Sequence, residues 1–328
     1  MRVDPFENVE LGATGVTVTR LGMGLAPIGG LFAPVGDEAA VAAIDEAWRL
    51  GVRFFDTAPL YGAGLSERRA GAALRKRERA KYTIATKAGR RIRAGEPGGQ
   101  PGIWAEPTGD GVEFDFSRAG IRSSYRESLE RLGLDRTDVL HLHDPDDHHA
   151  EAVSCALPEL AELRREGAVG AVSAGMNQSR MLTDLARTGL LDSVLLAGRY
   201  SLLDQSGLAD LLPECERRGI SVIVGGVYNS GVLADPWGRT TYDYRPASSR
   251  VVARARAMAR LCNRHGVPLR AAALQFPLAH PAVASVLVGM RSAAEASDAV
   301  AMARLPIPGA LWRDLSDAWL LDPEIPVP

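Results

Sequence analysis

Val52-Arg53-Phe54-Phe55-Asp56-Thr57-Ala58-Pro59-Leu60-Tyr61-Gly62 begins as a short apolar run, meets an acid, and breaks into a turn containing proline and glycine. An amphipathic stretch follows at Ser66–Lys76, and then a second strand-like run, Tyr82-Thr83-Ile84-Ala85-Thr86-Lys87. Two such runs separated by a helix-length segment read as parallel neighbours, because parallel strands need a crossover connection and antiparallel ones do not.

The alternation continues in both directions. Strand-like runs are expected at Val16–Leu21, Val52–Phe55, Tyr82–Thr86, Asp138–Leu142, Val169–Ala174, Ser193–Leu196, Ile220–Val224 and Val283–Val288. Amphipathic segments fall between most of them, among them Asp37–Leu50, Phe116–Leu132, Ala150–Glu166 and Ser249–His265. Gly51, Gly133 and Gly167 stand where helices should stop, and Ser117 where one should be capped. Eight βα units in 328 residues fit a (β/α)8 TIM barrel, α/β and all-parallel, better than an open sheet with a second domain. No Gly/Ser-rich linker divides the chain, so residues 1–328 are expected to form a single domain. The long interruption at 90–112 follows the third strand directly and should overhang the barrel's C-terminal face, and 233–249 is a second long loop of the kind that is usually functional or mobile.

Hydrophobic residues at 46%, charged residues at 24% and a formal net charge of −2 are ordinary for a globular protein. They offer no electrostatic footprint for nucleic acid or an anionic membrane. No apolar run is long enough to span a bilayer, and Met1 to Phe6 lacks the apolar core of a secretory leader, so the cytoplasm is the expected location. Cys155, Cys215 and Cys262 are too widely spaced for a metal or redox motif and read as buried free thiols.

In a barrel, side chains at the C-terminal ends of strands converge on one mouth. Asp56, Lys87 and His143 sit at such ends, and Tyr61 lies in the turn after Asp56. A free phenol titrates at about 10; a neighbouring ammonium should lower that value. Lys87 can supply the charge, Asp56 can hold Lys87, and His143 can orient a substrate oxygen. The set reads as a proton relay for a carbonyl or carbinol. His141 shares a face with His143 if the period of two holds, and is expected to be structural. His148 and His149 lack a third ligand at useful spacing, so no metal site is expected.

Phe55-Asp56-Thr57-Ala58-Pro59-Leu60-Tyr61-Gly62 with Ser66-Glu67, then Thr86-Lys87 and Leu142-His143, resembles the signature of the aldo-keto reductases. The resemblance runs over nearly the whole chain. It implies an NAD(P)-dependent oxidoreductase in which Tyr61 exchanges a proton with the substrate, Lys87 and Asp56 tune it, and His143 places the substrate. Other family positions are altered. The motif that holds the carboxamide reads Ser173-Ala174-Gly175-Met176-Asn177, with Asn177 offset by one residue. The expected glutamine falls near Ala197, and the ring that stacks under the nicotinamide falls near Gly225. These departures, with Gly198-Arg199-Tyr200 and the segment 271–281, resemble the branch that contains L-fucose and D-threo-aldose 1-dehydrogenases and a pyridoxal 4-dehydrogenase. That branch oxidises a cyclic hemiacetal to a lactone, which would make Tyr61 a base.

The resemblance assigns cofactor contacts to Gly24, Asn177, Gly225, Gly226, Asn229, Ser230, Gly231, Gly289, Arg291, Ser292 and Glu295. Gly289 and Glu295 stand where NADP-dependent relatives tend to carry a lysine and an arginine. A carboxylate repels a 2′-phosphate but can accept from a ribose diol, so NAD is expected over NADP. Ser292 can also cap the next helix, with Glu295 completing a capping box. Trp104, Arg199, Tyr228 and Trp237 are candidate substrate contacts; Tyr242 and Tyr244 are further loop aromatics, while Trp312 and Trp319 are expected to be packing. Monomer or weak homodimer is the family expectation. A general aldehyde or ketone reductase, and a non-catalytic barrel acting as a regulatory subunit, are the alternatives. A Rossmann domain is disfavoured because Pro27 replaces the third glycine in Gly22-Met23-Gly24-Leu25-Ala26-Pro27, and a glycosidase because no carboxylate pair stands on strand ends.

Overall fold

Eight short runs of β-branched and apolar residues form the strands of the computed structural model, which describes residues 4–99, 102–106, 108–238 and 240–328. They are β1 Leu21–Gly24, β2 Phe54–Asp56, β3 Thr83–Ala88, β4 Val139–His143, β5 Ala171–Met176, β6 Ser193–Ala197, β7 Ser221–Gly225 and β8 Val283–Gly289. All pair in parallel, each with its sequence neighbour, and β8 pairs with β1 to close the barrel. The strands are buried on both faces, which is why they read as continuous rather than alternating apolar runs.

Helices lie between the strands, and most end where the sequence places a stop signal. The helix Asp37–Leu50 ends at Gly51, whose φ of 111° a side-chain-bearing residue rarely adopts. Ser117 caps Arg118–Leu132 by accepting from the Gly120 amide. The expected helix Ala150–Glu166 is broken by a π-helical turn, Ala152–Ala156, before Leu157–Arg165. Pro158 has no amide to give, so the ladder widens there. Proline acts similarly near the last strand, where the helix Leu269–Gln275 passes into a 3-10 turn that contains Pro277.

The expected strand Val16–Leu21 is two pieces. Thr17–Thr19 pairs antiparallel with Asn8–Glu10, and the chain then turns at Arg20 into β1. This N-terminal hairpin caps the bottom of the barrel. Its Leu11 and Val18 are buried against Phe54, Ala85, Val139, Ala171, Leu195, Ile223 and Leu287, which fill the lower interior. Burying each large apolar side chain contributes about 1.5–3 kcal/mol. Above that layer the period of two places Asp56, Lys87 and His141 on the same inner face, as residues two beyond Phe54, Ala85 and Val139. A second, larger apolar cluster fills the space between strands and helices.

The interruption at 90–112 contains an antiparallel hairpin, Arg90–Arg93 with Gly111–Phe114. The other carries a two-residue hairpin, Thr241–Tyr242 with Arg245–Pro246. Asp243 and Tyr244 form its turn, with φ of 49° and 62°, as a tight hairpin requires. Trp312 is buried as expected, but Trp319, expected to be packing, is 86% exposed. Cys215 and Cys262 are buried, and burial pushes both thiols up to about 12; Cys155 is only half-buried. No helix among the described residues is long and apolar enough to cross a membrane.

Candidate active site

Tyr61 is held by its turn. Its carbonyl accepts from the Ser66 amide and its own amide donates to Ala58. The turn lies directly against the 3-10 turn Pro27–Gly29. A Cβ on Gly62, which has a φ of 62°, would fall 2.2 Å from the Gly29 carbonyl oxygen. Glycine is therefore required there, and its absence of a side chain sets how deeply Tyr61 seats. Ser66 adds a second tie, donating to the Leu25 carbonyl and meeting Thr57 Oγ1 at 2.8 Å.

Lys87 reaches from β3 to β2. Its Nζ lies 2.5 Å from Asp56 Oδ1 and 2.8 Å from the Thr57 carbonyl oxygen, with both side chains almost wholly buried. The same Nζ is 5.0 Å from the centre of the Tyr61 ring. His143 meets that ring edge-on at 6.0 Å. The four residues expected to act together are thus brought together. His141, expected to be structural, is fully buried with Nε2 at 3.2 Å from Asp56 Oδ2. The alignment is poor for a hydrogen bond, and neither atom has a hydrogen-bond partner among the described residues.

The expected lowering of the Tyr61 pKa is reversed. Burial pushes it well above the ordinary tyrosine value, Asp56, Tyr244 and Asp144 add to the rise, and Arg90 opposes it. The Lys87 charge is paired to Asp56, so it does not offset the loss of water around the phenol. Asp56 moves the other way: burial alone would raise it, but Lys87 and His141 bring it below the usual carboxylate value. Burial lowers His143 far below its ordinary value, with Arg90, Lys87 and His141 acting in the same direction. Its ring is neutral and offers one donor and one acceptor. Arg90 pairs with Asp144 at 2.7 Å, and Asp144 Oδ2 lies 3.6 Å from His143 Nε2. Neither Arg90 nor Asp144 was singled out in the sequence. The only signal was that Asp144 follows His143 directly and Arg90 opens the long interruption.

A cavity of about 420 Å³ opens beside Asp56 and Tyr61. Its wall includes Gly24, Ala197, Gly225, Gly226 and Gly289, and it runs outward past Asn177, Tyr228, Asn229, Ser230 and Gly231 to Arg291 and Glu295. A Cβ on Gly24 or Gly225 would meet nothing closer than 3.7 or 3.5 Å. Packing does not demand glycine at these positions; the missing side chains leave the wall open to a ligand, as a flat nicotinamide would need. The residues present fit a dinucleotide. Asn177 lines the cavity despite its offset and donates Nδ2 to the Ala197 carbonyl. Asn229 is also at the wall, but its amide is engaged by Ser201 and the Gly198 carbonyl.

Several expected contacts do not reach this cavity. Ser292 caps the helix Ala293–Arg304 and is not part of the lining. The expected capping box is incomplete: the Glu295 carboxylate accepts from the Arg291 amide and pairs with its guanidinium at 3.1 Å. Arg199 makes a bidentate pair with Asp243 at 2.9 and 2.8 Å, which fixes the 241–246 hairpin rather than a substrate. Trp237 is 54% exposed and lies on a separate surface groove. Tyr242 donates to Asp204. By contrast Trp104 stands 5.7 Å from the Tyr61 ring. It is placed there because segment 103–105 pairs with residues 30–32. Trp104 is not part of the cavity lining, whereas Phe32 and Tyr244, in ring contact at 6.1 Å, are. Phe32, Arg270 and Asp298 were not foreseen; the last two form a bidentate pair at 2.8 Å at the outer wall. His148 stays partly exposed and packs one side of its ring on Phe114 and Phe116, and no metal-binding group exists among the described residues.

The family model described as "Aldo/keto reductase family" matches residues 20–319. The chain is similar to a D-threo-aldose 1-dehydrogenase from a Pseudomonas species, 40% identical over 94% of this chain and 96% of that one. It is also similar to a pyridoxal 4-dehydrogenase from Microbacterium luteolum, 38% identical over 98% of this chain and all of the other. Among solved structures, the holo form of an aldo-keto reductase from Bacillus halodurans superimposes with a TM-score of 0.77. It is 26% identical and covers 98% of each chain.

Proposed function

This chain belongs to the aldo/keto reductase family, and from that premise we propose that it oxidises the ring carbon of a cyclic hemiacetal to a lactone, with NAD preferred over NADP. An aldose such as L-fucose or D-arabinose is the proposed substrate, with Tyr61 as proton acceptor, Lys87 and Asp56 tuning it and His143 placing the substrate. The observation that carries the reading is the convergence of these four residues behind one end of a glycine-walled cavity, which Asp56 and Tyr61 line and Lys87 and His143 back. The similarity to an aldose 1-dehydrogenase over nearly the full length of both chains supports the substrate class. We read residues 1–328 as one catalytic domain, acting as a monomer or weak dimer in the cytoplasm.

Oxidation of a lactol removes a hydride from the ring carbon and a proton from its hydroxyl, leaving the lactone carbonyl. Bound nicotinamide supplies the hydride acceptor and, when oxidised, a positive charge. Tyr61 takes the hydroxyl proton through its phenolic oxygen. The phenol is protonated at rest, so the active form grows as pH rises. His143, neutral at working pH, hydrogen-bonds the reacting oxygen and fixes the face presented. Asp56 keeps Lys87 in place, with its Nζ 5.0 Å from the centre of the Tyr61 ring, where its charge favours the phenolate once the proton has moved. Trp104 stands beside the Tyr61 ring, and Phe32 and Tyr244 line the cavity next to it.

Those aromatic walls also favour a second substrate. The hemiacetal form of pyridoxal has a flat ring that Trp104 or Tyr244 can face, and the similarity to a pyridoxal 4-dehydrogenase is nearly as high. The Arg291–Glu295 pair supports NAD, because it leaves no unpaired cation at that position for a 2′-phosphate.

A screen of L-fucose, D-arabinose, L-galactose, D-galactose and pyridoxal with each cofactor, following reduced nicotinamide and identifying the product, tests the reading. Lactone formation with NAD is expected from at least one of them. Reduction of simple aldehydes alone, with NADPH, would overturn it in favour of a general reductase.

A further inference from the structure

Asp56 has two carboxylate oxygens and two buried neighbours. Lys87 occupies Oδ1; His141 stands at Oδ2. We infer that His141 is a positioning residue of the reaction: its imidazole secures the second oxygen of Asp56, and through it the placement of Lys87 against Tyr61. The inference rests on the proposed role of Tyr61 as proton acceptor.

The geometry comes from three adjacent strands. Asp56 ends β2, Lys87 lies on β3 and His141 on β4, where Lys87 and His141 are partners in register. His141 is wholly buried, and neither of its ring nitrogens has a hydrogen-bond partner among the described residues. Ser173, its partner in register on β5, also has an unpartnered hydroxyl. An apolar side chain would fill this interior without burying polar atoms that lack partners. A purely space-filling role is thus a poor account of histidine here. Its Nε2 lies 3.2 Å from Asp56 Oδ2, an oxygen that itself lacks a hydrogen-bond partner among the described residues.

Burial keeps His141 neutral, against the pull of Asp56. A neutral ring can donate one proton, and donation from Nε2 would draw negative charge from Asp56. Asp56 is among the groups that raise the phenol of Tyr61. The other groups acting on that phenol are Tyr244, Asp144 and Arg90, while Lys87 and His143 stand at its ring. His141 itself is acted on by Asp56 and Lys87. Replacing His141 by an apolar residue leaves all of these charges in place and changes only how tightly Asp56 is held.

The test uses the full-length protein, His141→Leu, His141→Gln and Tyr61→Phe. With the substrate of the screen above that turns over fastest, His141→Leu should move the alkaline-rising limb of kcat/KM to higher pH by about half to one unit. Its kcat should fall about tenfold at neutral pH, with KM changed by less than about twofold. His141→Gln retains an N–H donor and should restore the limb. An unshifted limb in His141→Leu, or no rescue by glutamine, overturns the inference. A second readout needs no turnover. In NMR of protein with isotope-labelled histidine, the signal removed by His141→Gln should report a neutral ring protonated on Nε2, and should move in Asp56→Asn. Protonation on Nδ1, or indifference to Asp56→Asn, counts against it equally. Full activity in Tyr61→Phe, or no turnover of any substrate in the screen, would instead sink the reading of Tyr61, and the NMR result would still judge His141.

Discussion

Lys87 and Asp56 meet at 2.5 Å inside the barrel, with side-chain exposures of 2% and 3%. An ion pair so far from water is held by its geometry, and neither member tolerates the loss of the other. Lys87→Met should leave a buried, uncompensated carboxylate and destabilise the fold by about 3–5 kcal/mol. The double variant Asp56→Leu/Lys87→Met should recover much of that stability while remaining inactive. Urea unfolding of the three proteins checks this; equal losses in single and double variants would show that the pair is not coupled.

Tyr61→Phe removes the proposed proton acceptor and leaves the ring that contacts Trp104 and His143. We expect kcat to fall by about 10²–10⁴-fold, with NAD binding, read by quenching of protein fluorescence, retained. A kcat near that of the parent protein removes Tyr61 from the mechanism.

The buried histidines make stability fall with acid. Burial lowers the folded pKa of both His141 and His143. As pH drops through about 6.5 the unfolded chain takes up protons that the folded one refuses. Above that value neither contributes a penalty; below it each costs up to about 1.4 kcal/mol per pH unit until its folded pKa is reached. Asp56 acts in a lower window: its depressed pKa contributes stability that is lost only as pH falls below about 3.9. Denaturant unfolding at neutral pH and about one unit below 6.5 should show the decline, and His143→Gln should make it shallower.

At the outer end of the cavity, Glu295 neutralises Arg291. Glu295→Gln frees that guanidinium, and Glu295→Arg adds a second cation. Both should raise the NADP/NAD ratio of kcat/KM, by about tenfold or more if a charge-assisted bond to the 2′-phosphate forms. An unchanged ratio in both variants would mean that the ribose end lies elsewhere.

Gly62 sets the depth of Tyr61. A methyl group there meets the Gly29 carbonyl at 2.2 Å, on a backbone with φ of 62°. Gly62→Ala should lower stability by about 1–3 kcal/mol and reduce kcat more than it changes KM. Retained stability together with retained kcat would show that the turn relaxes freely.

The barrel was legible because eight strand-like runs alternate with helical segments that end on stop signals, and the candidate residues because side chains at strand ends in a barrel converge, with Tyr61 in the turn just after one of them. What was not legible depends on distances that periodicity does not encode. A period of two places His141 and Lys87 on the inner face, but the stagger between strands decides that His141 meets Asp56 rather than the substrate. The sign of the shift on Tyr61 turned on a competition. Lys87 was readable as a nearby cation, but its pairing to Asp56 and the loss of water around the phenol outweigh it. Arg199 and Trp237 sit in the right loops, yet one latches to Asp243 and the other faces outward. Loop direction is settled by such contacts, and no local pattern records them. Phe32 enters the site only because segment 103–105 pairs with residues 30–32, a long-range match between two irregular stretches.

The N-terminal hairpin gives the barrel a floor, with Leu11 and Val18 plugged into its lower interior. A tube stoppered at one end cannot be a passage. Whatever binds beside Asp56 therefore enters and leaves on the mouth side of the barrel, where Phe32 and Tyr244 line the cavity. A product that lingers there blocks the next substrate directly, and the release step becomes a natural place for the turnover rate to be set.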